Sequence, residues 1–81
     1  MLSISKKTKL SATKIIDLAS RFFGKNGVGL EEESRNSCCI SFQGGGGYVN
    51  VIIADVDEKR NVDVETREWE YQAKEFLGKL S

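Results

Sequence analysis

Apolar and polar residues alternate along five short segments of the chain, a pattern typical of β-strands with one packed and one solvated face. The first segment covers residues 2–9, where Leu2 and Ile4 alternate with serines and lysines. The other four follow one another within residues 28–65, and only short polar or glycine-rich stretches connect them. Successive strands with such short connections predict an antiparallel meander.

The four later segments also predict the two faces of this meander. Their connections fall at residues 35–36, at the glycines 44–47 and in a charged turn at 55–60. On the packed face we expect Val28, Leu30, Cys38, Ile40, Phe42, Val49, Val51, Ile53, Val62 and Val64. On the solvated face we expect Cys39, Ser41, Gln43, Tyr48, Asn50, Ile52, Asn61, Asp63 and Glu65.

Two further segments carry apolar residues at spacings of three and four, which predicts amphipathic helices. The first helix is expected over residues 12–23, with Ser11 as its N-cap and Gly24 as its stop signal. The second carries an apolar stripe over residues 69–80, and Thr66 is the residue expected to cap it. Each helix has a single apolar stripe and therefore needs one apolar surface against which to bury it.

The predicted element order is β-α-β-β-β-β-α, in which residues 1–81 form a single compact domain. We expect an α+β fold: an antiparallel sheet of about five strands with two helices packed on one face. This order resembles one repeat of the TATA-box-binding protein and the larger helix-grip ligand-binding proteins. The resemblance covers nearly the whole chain but consists of element order alone, so it carries over no functional residue.

The charge of the chain is balanced overall and uneven along its length. Twelve basic and twelve acidic side chains give a net charge of zero, yet six basic residues and one acidic residue fall within residues 1–27. Such a basic third could attract a phosphate-rich partner. If the two halves are neighbours in one small fold, however, they neutralise each other, and a dedicated nucleic-acid binder needs a net basic face. A nucleic-acid partner is therefore disfavoured.

The N-terminal segment and the apolar runs bear on where the protein works. Residues 1–7 contain no continuous apolar core of the kind found in a secretory signal. The longest apolar run, around residues 51–54, is far too short to cross a membrane. We therefore expect a cytoplasmic protein without a membrane partner, in which the cysteines are free thiols.

Two adjacent cysteines and the lack of any histidine limit the chemistry that the chain can perform. Neighbours in a strand point to opposite faces, so we expect Cys38 in the core and Cys39 on the solvated face. Cys39 could then be a reactive thiol, although no histidine can act as its base. Neither the cysteines nor the acidic turn at 55–58 matches a zinc or calcium site, so no metal and no cofactor are expected.

The four consecutive glycines, residues 44–47, are the least random feature of the sequence. A phosphate-binding loop would lead into a helix, whereas these glycines lead into a strand. One interpretation is a hairpin connection that exploits positive φ angles. The other is a bare backbone against which a ligand or partner lies.

The solvated sheet face has at its centre uncharged side chains of medium size with one aromatic residue, which is the composition of an interaction surface. We expect a small binding or protein-interaction module that self-associates as a homodimer or binds a protein partner, with a small-molecule ligand as a further option. The candidate binding residues are Gly44, Gly45, Gly46, Gly47, Tyr48, Asn50, Ile52, Ser41, Gln43 and Cys39.

Two alternative functions come from different classes. A saddle-like sheet could bind nucleic acid with Lys6, Lys7 and Lys9 on the phosphates, but the expected acidic residues on the same face count against it. A small enzyme could instead use Cys39, Tyr48 or carboxylates at the glycine tract. No spacing in the sequence selects a pair of carboxylates for acid–base chemistry, so we expect no enzyme and no catalytic residue.

Overall fold

The computed structural model describes residues 2–80 and contains the seven elements in the predicted order. The strands and helices are β1 (Leu2–Thr8), α1 (Ala12–Phe23), β2 (Glu31–Arg35), β3 (Cys39–Gly44), β4 (Gly47–Val56), β5 (Lys59–Arg67) and α2 (Glu70–Gly78). The predicted α+β class is therefore confirmed. Within residues 2–80, neither helix combines the length and the apolar character that crossing a membrane requires.

All five strands belong to one antiparallel sheet in the spatial order β1-β5-β4-β3-β2. Strands β2 to β5 form the expected meander, in which each strand pairs with the next along the chain. Strand β1 pairs with β5 over its full length, from Leu2 opposite Thr66 to Thr8 opposite Arg60. The first strand therefore adds to the far end of the meander, and helix α1 carries the chain back across the sheet to β2.

Both helices pack on the same face of the sheet and bury its apolar side chains. Three aromatic rings join the layers: Phe23 of α1 lies 5.5 Å from Phe42 of β3 and 5.3 Å from Phe76 of α2, measured between ring centroids. Tilted aromatic pairs at such distances add about 0.5–1.5 kcal/mol each to the free energy of simple burial. The fully buried core further contains Ile15, Ala19, Val49, Val51, Val62, Val64 and Ala73.

Helix α1 has the predicted boundaries. The Ser11 side chain accepts a hydrogen bond from the Lys14 backbone N–H at 3.2 Å, as an N-cap should. At the other end the Gly24 N–H donates to the Ser20 carbonyl, and a Cβ at position 24 would collide with that carbonyl oxygen. The cap and the stop predicted from the sequence are both confirmed.

Strand β2 begins later than the alternation predicted, because Val28 and Leu30 lie in the loop after α1. The Val28 N–H donates to the Phe22 carbonyl and the Leu30 N–H to the Phe23 carbonyl, both at 2.8 Å. These bonds satisfy orphan carbonyls at the end of α1, so the backbone is not free to pair with a strand. Leu30 is nevertheless buried, as its apolar character predicts.

The charged turn between β4 and β5 is shorter than the predicted range of 55–60. Only Asp57 and Glu58 form the turn, and Asp57 has a φ of 58°. Val56 pairs with Lys59 and Asp55 with Arg60, so the ladder continues up to the turn. Arg60 Nε and Asp55 Oδ1 lie 2.8 Å apart and form an ion pair across the two strands.

The prediction that Thr66 caps the second helix is wrong. Thr66 is fully buried within β5, and its hydroxyl donates to the Tyr48 carbonyl at 2.8 Å. Its place on the packed face follows from the same alternation as the valines before it, and its branched side chain favours a strand. Helix α2 begins instead after Glu68, which has a φ of 77°, and Trp69, which provides no side-chain cap.

The end of α2 is stabilised by a lysine from the first strand. Lys6 lies on the helix side of β1, and its Nζ donates to the Leu77 carbonyl at 3.1 Å. A cation at a helix C-terminus is favourable because it satisfies an orphan carbonyl and complements the helix dipole. This contact fixes α2 against the edge strand of the sheet.

Replacing this lysine tests that role. Lys6→Met should lower the free energy of unfolding by about 1 kcal/mol, because the charged hydrogen bond is lost while the aliphatic stem is kept. Lys7→Met is the matched control: Lys7 is exposed on the opposite face of the same strand and should change stability by less than about 0.5 kcal/mol. Urea unfolding followed by circular dichroism measures both. Equal losses in the two variants would contradict the proposed role of Lys6.

Candidate functional site

The face of the sheet away from the helices is the candidate site, and we name it the open face. Its pairs across β3 and β4 are Gln43 with Tyr48, Ser41 with Asn50, and Cys39 with Ile52. Residues of β5 continue these rows: Glu65 is opposite Asn50, Asp63 opposite Ile52, and Asn61 opposite Ala54. All nine side chains expected on the solvated face therefore do lie on one side of the sheet.

Several open-face residues were missed by the sequence analysis. Arg67 is opposite Tyr48, but the expected strand ended before it. Continuing the alternation of Asp63 and Glu65 by one step would have identified it. The alternation in residues 2–9 predicts a solvated side for the serines and lysines of β1, but it does not say which strand lies beside β1. The structure adds the following edge-strand residues to the open face: Ser3, Ser5 and Lys7 of β1, and Glu31 and Ser34 of β2.

The centre of the open face is uncharged and partly apolar. Ile52 is 40% exposed there, and Tyr48, Asn50 and Ser41 around it are half-buried among their strand neighbours. Charged side chains surround this centre and include both signs: the bases Lys7, Lys59 and Arg67 and the acids Glu31, Asp63 and Glu65. A neutral centre with a charged rim is the arrangement found in protein interfaces.

The lysines proposed for phosphate contacts do not gather on this face. Lys6 lies on the helix side of β1 and bonds to the end of α2, whereas Lys7 lies on the open face. Asp63 and Glu65 occupy the row positions next to β1, opposite Ser5 and Ser3. The acidic residues expected to oppose nucleic-acid binding are therefore on the open face.

A shallow depression of about 620 Å³ lies at the glycine end of the open face. Its lining combines amide, phenol, guanidinium and carboxylate groups with exposed peptide groups, so it offers hydrogen-bond donors and acceptors but little apolar enclosure. The lining residues are Glu31, Glu33, Gln43, Gly44, Gly46, Gly47, Tyr48, Asn50 and Arg67. The structure thus brings the glycine tract and five side chains of the open face together with Glu33.

The glycine tract forms a two-residue hairpin. Strand β3 runs to Gly44 and β4 starts at Gly47, so only Gly45 and Gly46 form the turn. Their φ angles are 58° and 83°, which is the pattern of a type I′ turn. This turn type matches the twist of the two strands and requires positive φ at both central positions, which explains glycine at each.

Trp69 holds this hairpin from the helix side. Its indole Nε1 donates to the Gly44 carbonyl at 2.9 Å, and a Cβ at position 45 would lie only 2.7 Å from its ring. The spacing of apolar residues predicts Trp69 in the stripe of the second helix, and no pattern in the sequence indicates its contact with the glycines. The backbone of the hairpin is therefore covered on one side by the indole and is open towards the depression on the other.

The two cysteines differ from the prediction in position and in oxidation state. Cys38 is exposed and precedes β3, so its expected place in the core is wrong. It forms a disulfide with Cys39, so the expectation of free thiols is also wrong. The reason lies in Asn36, whose side-chain oxygen accepts from the N–H groups of both cysteines at 3.0 Å and bends the chain ahead of the strand.

The acidic residues of β2 divide between the two sides of the sheet. Glu31 pairs with Gln43 on the open face, whereas Glu32 receives two hydrogen bonds from the Arg35 guanidinium, at 2.9 and 3.1 Å, on the helix side. The hydrogen bond to Glu32 raises the pKa of Arg35. Among residues 2–80, no three His, Cys, Asp or Glu side chains are grouped so as to hold a metal ion.

Comparisons of the chain with protein-family models, with curated proteins and with solved structures find no match. The resemblance in element order to the TATA-box-binding protein and the helix-grip proteins therefore stays a prediction. The composition and geometry of the open face are therefore the features from which a function can be inferred.

Alanine substitutions at the two turn glycines separate the roles of φ and of Trp69. Gly46→Ala should lower the free energy of unfolding by about 1 kcal/mol, because alanine disfavours the positive φ while its methyl group meets open space. Gly45→Ala should cost about 2–3 kcal/mol, because the methyl group also collides with the indole. Urea titrations measure both, and equal losses would contradict the packing of Trp69 on Gly45.

Proposed function

We propose that the protein is a small interaction module that binds a second copy of itself through the open face. The observation that carries the proposal is the uncharged row of β4 at the centre of this face, where Ile52 is 40% exposed between Asn50 and Ala54. Both helices already cover the other face, so no element of residues 2–80 is left to shield this one. A second open face of the same composition would exclude water from both centres.

A symmetric arrangement is available for such a pair. A two-fold axis that runs along β4 between two open faces would bring Tyr48, Asn50 and Ile52 of one copy against the same residues of the other. Sheets packed in this way lie about 10 Å apart with interdigitated side chains. The central strand supplies only uncharged side chains to this contact, which favours a self-complementary interface.

The charges at the glycine end are compatible with the same axis. Glu31, Gln43, Tyr48 and Arg67 follow one another in a row across four strands, so the acid and the base lie on opposite sides of Tyr48. Rotation about β4 places Arg67 of each copy over Gln43 of the other and next to its Glu31. Opposite charges would then face each other on both sides of the axis at the glycine end.

Two expectations from the sequence, the cellular location and a small-molecule ligand, stay predictions. A cytoplasmic location is expected from the sequence alone. A small molecule in the depression at the glycine hairpin is an alternative occupant of the same region, and its polar, shallow lining favours a weakly held polar ligand.

A substitution at the centre of the open face tests the self-association. Ile52→Glu should abolish a concentration-dependent increase in sedimentation coefficient, because it places buried like charges at the two-fold axis. Tyr48→Asp should do the same. Tyr71→Asp is the matched control, since Tyr71 is 71% exposed on α2, away from the open face, and should leave sedimentation unchanged.

Circular dichroism of each variant separates loss of association from loss of fold. A wild-type protein that sediments as a monomer at the highest soluble concentration would refute the proposal. Equal effects of the substitutions at positions 52 and 71 would also count against the open face as the contact surface.

A charge exchange tests the orientation of the two copies. Arg67→Glu alone and Glu31→Arg alone should each raise the dissociation constant about threefold to tenfold, because each places like charges opposite one another. The double variant should bind nearly as well as the wild type, since the pair is restored with its signs reversed. Sedimentation equilibrium measures all four proteins. Effects that simply add in the double variant would exclude the axis along β4.

A further inference from the structure

The cysteine pair, Cys38 and Cys39, is held in place by hydrogen bonds on all four of its backbone polar groups. Both N–H groups donate to the Asn36 side-chain oxygen at 3.0 Å. The Cys38 carbonyl accepts from the Ile53 N–H and the Cys39 carbonyl from the Asn36 N–H, each at 2.9 Å. These bonds do not involve sulfur, so they hold the two Cα–Cβ directions whether the sulfurs are joined or separate.

The pair also lies outside the hydrophobic core. Cys38 is exposed and Cys39 is half-buried on the open face, opposite Ile52. None of the buried core residues is a cysteine, and the helices pack on the other side of the sheet. The disulfide is therefore reachable from solvent, and opening it removes no core contact.

We propose that Cys38 and Cys39 form a reversible dithiol–disulfide site that exchanges with dithiol reductants while the fold stays intact. A thiolate of the reductant attacks the exposed Cys38 sulfur, and the Cys39 thiolate leaves and takes up a proton. The second thiol of the reductant then attacks the mixed disulfide and releases Cys38. Two electrons and two protons pass to the cysteine pair, and the reductant becomes a disulfide.

Closure of the site is intramolecular because the two sulfurs stay next to each other after reduction. A fixed backbone gives such a pair a high effective concentration, so oxidation should return the internal disulfide rather than link two chains. This inference needs only a single chain. Labelling is therefore done at a concentration at which the protein is monomeric, because Cys39 lies on the open face that self-association would cover.

Alkylation of the full chain with N-ethylmaleimide tests the site. Purified protein in glutathione disulfide should take up no label, and protein treated with dithiothreitol should take up two, as read by mass spectrometry. When the reductant is replaced by glutathione disulfide before labelling, the label should be lost again and the mass should remain that of one chain. Circular dichroism should be the same in both states.

Three results would overturn the proposal. These are two labels under the oxidising condition, disulfide-linked chains as the main oxidised product, or loss of the native spectrum on reduction. The double variant Cys38→Ser/Cys39→Ser is the control: it should take up no label in either state and keep the native spectrum, since neither sulfur contributes to the core.

Variants of Asn36 test whether the turn holds the two cysteines in the geometry that disulfide closure requires. Asn36→Ala removes the acceptor of both cysteine N–H groups and should slow internal closure roughly tenfold to a hundredfold, because two hydrogen bonds that orient the pair are lost. Asn36→Ser keeps a neutral acceptor oxygen that forms the same kind of turn more weakly, and it should close faster than Asn36→Ala. The rate is measured by quenching the oxidation with N-ethylmaleimide at successive times. Closure of Asn36→Ala at the wild-type rate would show that the turn does not set the geometry.

Discussion

The structure depends on one constraint: two helices with one apolar stripe each can cover only one face of a five-stranded sheet. The packed face takes its side chains from β3, β4 and β5, and the rings of Phe23 and Phe76 lie over it. Residues 2–80 contain no third layer, so the opposite face meets solvent. The Lys6 contact with the end of α2 and the buried Thr66 hydroxyl both serve the covered face. Within residues 2–80, the side of the sheet where Ile52 lies exposed is consequently the one left accessible to solvent.

The sequence predicted what depends on periodicity and missed what depends on contacts between distant residues. Alternation along β4 correctly separated Val49 and Val51 from Tyr48 and Asn50, because successive side chains in a strand must point to opposite faces. No periodicity could place β1 beside β5, since an antiparallel meander offers two free edges. Alternation also misled at Cys38, where the side chain of Asn36 takes over the backbone N–H groups that a continuous strand would have used.

The glycine hairpin combines the two interpretations that the sequence left open. Positive φ at Gly45 and Gly46 gives the tract a geometric role, and the indole of Trp69 occupies the space that a side chain at position 45 would need. A bulky residue at position 45 would push the hairpin away from Trp69. The absence of a side chain at this position is therefore a packing requirement on the helix side of the hairpin. On the opposite side Gly44, Gly46 and Gly47 line the depression beside Tyr48. A binding role would therefore be an addition to the structural one, and it concerns only the side facing the depression.

Self-association through the open face has a competitor in the free edges of the sheet, and the edges are poorly suited to it. Strand β2 consists entirely of exposed residues, contains three consecutive glutamates and has a register irregularity between Glu32 and Ser34, all of which hinder the addition of another strand. Strand β1 is regular, but Lys6 and Lys7 lie within it, and a second copy added along this edge would bring four lysines together. The open face has no such concentration of one sign at its centre. Stacking of two faces is therefore the favoured way for this fold to cover Ile52.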